Sequence, residues 1–129
     1  MRQRIPVKRT TSPASRGRLM STLLTYLPGA WIDPNNRELI SLYRLRYRMA
    51  LEEAKYDAAM IFLNKILELD PVNAEAKFWK GEIYHRCLQD YTQAIEHYNK
   101  AIRLSASGGD QKTNARARAA MSEIMELLS

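Results

Sequence analysis

Acidic side chains are missing from the start of this 129-residue chain, where the first Asp or Glu is Asp33. Residues 1–18 hold Arg2, Arg4, Lys8, Arg9, Arg16 and Arg18, together with Pro6, Pro13, Gly17 and several Ser and Thr. Such a composition buries too little apolar surface to order itself, so residues 1–18 read as a basic disordered tail. The tail takes six of the 20 basic residues and leaves 14 against 14 acids, so the net charge of +6 sits in the tail and the remainder is neutral. Contact with nucleic acid or an anionic membrane would therefore run through those six side chains. Aromatic residues are absent between them, which argues against base stacking. An acid-poor, Arg- and Ser-rich leader also has the make-up of an organelle transit peptide, and a translation start at Met20 would remove it altogether. Without such targeting the expected location is cytoplasmic.

Cysteine is nearly absent too: Cys87 alone excludes an internal disulfide. It falls on the same helical face as Ile83 and Tyr84, so a buried thiol is expected. No hydrophobic run is long enough to span a bilayer, the best being Leu19 to Leu27, broken by Ser21, Thr22 and Thr25. Catalytic signatures are lacking: there is no Gly-rich phosphate loop, no His-Glu-x-x-His and no Cys-x-x-Cys. The two histidines, His85 and His97, fall in different expected helices, and His85 and Cys87 point to different sides of theirs. The chain is read as having no enzymatic activity, no metal and no cofactor.

Five Gly, five Pro and 46% hydrophobic residues suit one mostly helical globular domain, expected over residues 19–129. One pattern is written twice. Tyr56, Ala59, Asn64, Lys65 and Leu69 recur 35 positions later as Tyr91, Ala94, Asn99, Lys100 and Leu104. A period near 35 with helical spacing inside it marks a helical repeat array. Between the copies Pro71 stops one helix and Asn73 can cap the next. Asp33-Pro34 followed by Asn35 and Asn36 echoes that junction, so a helix is expected from Asn36 to Ala54, probed by Ile40, Tyr43, Tyr47, Ala50, Leu51 and Ala54 on one face. Leu39, Leu42, Leu45 and Met49 widen its apolar surface, which implies packing on two sides. Leu19, Leu23, Leu24 and Leu27 form a short apolar face, read as a lid over the first repeat or as a membrane-surface or partner-binding segment. Gly108-Gly109 breaks the chain, and a terminal helix follows at about 110–128 with Ala117, Ala120, Met121, Ile124 and Leu128 on one side.

Gly81 and Tyr84, then Ala94, Tyr98 and Ala101, then the closing Asp70-Pro71, together resemble the tetratricopeptide repeat family. The likeness covers roughly residues 33 to 128. It implies an all-α fold, a right-handed stack of antiparallel helix pairs, with repeats at about 36–70 and 74–105. The first helices of such pairs line a concave groove. The function expected is that of an adaptor or scaffold holding another protein's helix or extended segment there. Arg44 and Arg48, with Phe78, Glu82 and His85 and then Lys112 and Arg116, are the expected partner-binding residues. Two readings of them stay open. Phe78 either anchors a peptide beside the arginines or packs, like Trp79, on a neighbouring helix while the arginines pair with Glu75 and Glu82. Some members of the family grip the acidic C-terminus of a chaperone with Lys and Asn side chains, but aromatic and acidic residues stand here where an Asn would be wanted. The alternatives are an accessory protein anchored to nucleic acid or membrane by its tail, and a secretion-type chaperone.

Overall fold

The computed structural model describes residues 33–129, and the expectations for the basic tail and the Leu19 to Leu27 segment lie outside them. Five helices follow in order: α1 (Pro34–Glu52), α2 (Tyr56–Leu69), α3 (Ala74–Glu82), α4 (Tyr91–Gly108) and α5 (Gln111–Leu128). Helix α3 is prolonged by a π turn, Ile83–Cys87. The pairs α1/α2 and α3/α4 pack as hairpins, α2 meets α3, and α5 closes against α4 and α3. The described residues are all helix and connecting turn, and the fold is a helical-repeat stack.

The starts of these helices follow from their side chains. Asn73, Asp90 and Asp110 each accept from the amide three residues ahead, at 2.9, 3.2 and 3.1 Å. These bonds satisfy amides that have no partner inside the helix. Helix α1 departs from the expected cap. Asp33 accepts from Asn35 N at 2.8 Å and Pro34 occupies the first turn, so α1 starts two residues before Asn36. The two Asp-Pro pairs are therefore not equivalent: one opens a helix, whereas Pro71 lies in the turn that Asn73 ends. Proline tolerates both settings because neither needs its missing N–H.

Both first helices end on a left-handed residue other than glycine, Ala54 (φ 59°) and Gln89 (φ 54°), which stand one repeat apart. Helix α1 thus stops at Glu52, short of the expected Ala54, which is exposed. Lys55 N reaches back to Ala50 O at 2.8 Å and closes the turn. A left-handed alanine carries a steric cost that glycine lacks. Ala54→Gly is accordingly expected to raise stability by about 0.5–1 kcal/mol, read from urea unfolding midpoints. Helix α4 already has the easier solution, Gly109 at φ 78°.

Ile40, Tyr47 and Ala50 on α1, and Ala59, Leu63 and Ile66 on α2, are buried. The second cluster joins Phe78, Ala94, Tyr98, Ala101, Ala117, Ala120 and Ile124, so the terminal helix completes the core of the second repeat. Leu42, Leu45 and Met49 stay exposed, so α1 is packed on one side among the described residues rather than on two. Cys87 is half-buried, not enclosed as expected, because the π turn rotates the end of α3; a hydrogen bond with Cys87 pushes the Tyr56 hydroxyl up in pKa. No helix among the described residues is long and apolar enough to cross a membrane.

Candidate functional site

Side chains of α1 and of α5 both reach α3. On α1, Arg44 and Arg48 lie one turn apart, and both reach the same carboxylate on α3: Arg44 Nη2 is 3.1 Å from Glu75 Oε1 and Arg48 Nη2 is 3.4 Å from Glu75 Oε2. Two guanidinium groups share one carboxylate. The side chains remain 45% and 56% exposed, so each pair is of the surface type and adds only about 0.2–1 kcal/mol.

Beside this cluster an aromatic step is roofed by α5. Phe78 meets Trp79 edge-on at 5.3 Å, and the Arg116 guanidinium carbon lies 4.8 Å above Phe78 and 5.3 Å above Trp79. Tyr47 approaches Trp79 from α1 at 6.4 Å, and its buried phenol is pushed up in pKa by desolvation and then by Glu75. Phe78 is 4% exposed, a core side chain against Tyr98 at 5.9 Å, so it does not present an anchor to a partner. Of the two readings open for Phe78, the structure has the one in which it packs on its neighbours. The partly buried Trp79 takes the outer position instead.

Farther along α3 the sign reverses. Arg86 Nε donates to Glu82 at 2.9 Å and its Nη2 donates to Glu123 of α5 at 2.7 Å. That bond holds the Glu123 carboxyl below the usual range. Behind it, Tyr98 OH donates to the other Glu82 oxygen at 2.5 Å, and His85 Nδ1 lies 3.0 Å from the same phenol oxygen. The single phenolic proton goes to Glu82, so His85 is the donor to Tyr98 through Nδ1–H. Burial first, and then the Glu82 bond, raise the Tyr98 hydroxyl far above its ordinary value. His85, 6% exposed and edge-on to Tyr91 and Tyr98, is thus a structural residue rather than the groove contact that the sequence suggested.

The expected site residues therefore separate. Arg44, Arg48, Lys112 and Arg116 lie at or near the surface, Glu82 is half-buried in a network, and Phe78 and His85 are inside. Arg86 and Glu123 were not anticipated; their partnership depends on how α5 folds back, which no local spacing reveals. Among the described residues no group of three His, Cys, Asp or Glu side chains is placed to hold a metal ion.

The family profile of the tetratricopeptide repeat matches residues 48–73 and 74–107. The first match takes in the end of α1 and all of α2, the second α3 and α4. No curated protein and no solved structure matches the chain.

Proposed function

Because residues 48–107 are two adjacent tetratricopeptide repeats, a family that generally mediates protein–protein interaction and is typically non-catalytic, we propose that this chain is an adaptor whose α1/α3/α5 face binds an acidic segment of another protein. One observation carries the reading: Arg44 and Arg48 share a single carboxylate, Glu75. The deficit of negative charge lies next to Trp79 and Arg116, an aromatic step beside planar cations. An incoming carboxylate would be met bidentately by guanidinium groups, and an adjacent apolar side chain would pack beside the partly buried Trp79. The opposite end, Glu82 and Glu123 around Arg86, carries one excess negative charge. A segment with its acids at one end and a basic residue at the other would be read in one direction.

The test uses fluorescein-labelled acidic peptides and anisotropy. Arg44→Glu is expected to weaken binding by about tenfold or more, with circular dichroism unchanged, as reversal of an interfacial charge does. Arg103→Glu, the same charge change at an exposed position of α4, serves as control. Equal weakening by the two variants would show that only net charge is being sensed, and the face would lose its role.

A further inference from the structure

The side of α3 turned away from that face carries lysines. In the first repeat Lys65 of α2 rests over the ring of Tyr43 of α1, 5.9 Å from its centroid. The repeat partner of Lys65 is Lys100 on α4. The α3 residues turned toward it are Lys77 and Lys80, all three being half-buried.

The polar partners in this crevice are few. Lys80 Nζ donates to the neutral Asn64 Oδ1 of α2 at 2.7 Å, and Lys100 Nζ lies 3.4 Å from Glu96 Oε2. Lys100 thus has Glu96, whose charge also reaches Lys77, while Lys80 is held by the neutral Asn64. His97 sits beside them, 7% exposed, with its ring stacked flat on Tyr84 at 5.3 Å and its Nδ1 without a hydrogen-bond partner. Gathering half-buried like charges is unfavourable unless an opposite charge answers them. Both Lys77 and Lys80 bear the mark of this: burial depresses their pKa values first, and other lysines of the cluster lower them further.

We propose that the crevice between α2, α3 and α4 is an anion-binding site, in which Lys77, Lys80 and Lys100 together hold a doubly charged phosphate group. The charge matches, since three ammonium groups against Glu96 leave two positive charges to be answered. The chemistry matches as well. Lysine ammonium groups bind phosphate as mobile point charges, each with three donors to offer its oxygens. The site is separate from the α1/α3/α5 face: Glu75, Trp79 and Glu82 point one way from α3, and Lys77, Lys80 and Tyr84 the other.

The experiment titrates inorganic phosphate into the full chain at constant ionic strength, with chloride as reference, and follows the lysine side-chain resonances by NMR. Saturable shifts at Lys77, Lys80 and Lys100 are expected, with the dissociation constant rising by about tenfold in the variant Lys77→Gln/Lys80→Gln. Without phosphate that variant is expected to unfold at the same temperature as the parent or higher, because the repulsion is relieved. Arg44→Glu should leave the shifts untouched. Shifts that fail to saturate, that chloride reproduces, or that survive in the double variant would overturn the site. A phosphoserine peptide titrated in parallel separates the two sources of the group: tighter binding than inorganic phosphate assigns it to a modified protein segment, and equal binding assigns it to the free ion.

Discussion

Gly81→Ala is expected to lower the thermal unfolding midpoint by roughly 10–15 °C, a loss of about 3 kcal/mol. A Cβ built on Gly81 would lie 2.7 Å from both Cδ1 and Cε1 of Tyr98 and 3.3 Å from its Cγ. The ring has nowhere to retreat. Tyr98 is fully buried, packed on Phe78, and tied at its hydroxyl to Glu82 and His85. Relief therefore requires α3 and α4 to separate, and their contact is the centre of the second repeat. The direction of the effect is diagnostic. In an unconstrained helix alanine is better than glycine by about 1 kcal/mol, so a stabilised variant would mean that the two helices do not approach this closely. Gly81→Ala combined with Tyr98→Leu should be less destabilised than the two single changes added together, since the second removes the ring that the first strikes. Strict additivity would contradict the packing.

The same glycine shows what a sequence reveals and what it withholds. Gly81, Ala94, Tyr98 and Ala101 were legible because small and large residues at helical spacing, repeated with their neighbours, describe a packed seam without knowledge of either helix's rotation. Phe78 and His85 were misplaced for a physical reason. Helix α3 is buried along two flanks: Ala74, Phe78, Gly81 and His85 turn toward α4 and α5, while Ala76 and Ile83 are buried elsewhere on the helix. A reading that allots one inner face sends half of these residues to the groove. Glu82 looked like a surface acid, and half of its hydrogen bonding turned out to serve the buried phenol of Tyr98. The π turn at Ile83–Cys87 left no recognisable local signal, and the half-buried Cys87 ends it. That Arg44 and Arg48 stand one turn apart on the surface of α1 was legible from their spacing alone, since a stripe of four-residue steps on a helix needs no tertiary knowledge. Their shared carboxylate did need it, because Glu75 belongs to another helix.

The other large effect is on pH dependence, and it comes from His97. Burial, followed by the charges of Lys80, Lys77 and Lys100, depresses its pKa to about 4, and only Glu96 opposes them. The groups facing it are Tyr84, Lys77 and Lys80 from α3 and Glu96 and Lys100 from α4. In the unfolded chain the imidazole takes its proton near pH 6.5. Between these two values the unfolded state binds more protons than the folded one, so stability is full above about pH 6.5 and falls as pH is lowered toward 4. The loss has an upper bound of about 3 kcal/mol. Urea unfolding at pH 7, 5.5 and 4 measures it, and the comparison that isolates it is His97→Phe, which keeps an aromatic ring against Tyr84 and has no proton to take. Burial also raises the pKa of Asp70, but that contribution is common to both proteins. The parent should therefore lose about 2–3 kcal/mol more than the variant over the window, and parallel curves would mean that His97 is not held neutral by its surroundings. Removing two of the neighbouring charges gives a finer check. In Lys77→Gln/Lys80→Gln the His97 midpoint, followed by NMR, should rise yet stay below 6.5, because burial is the larger cause and the lysines only add to it.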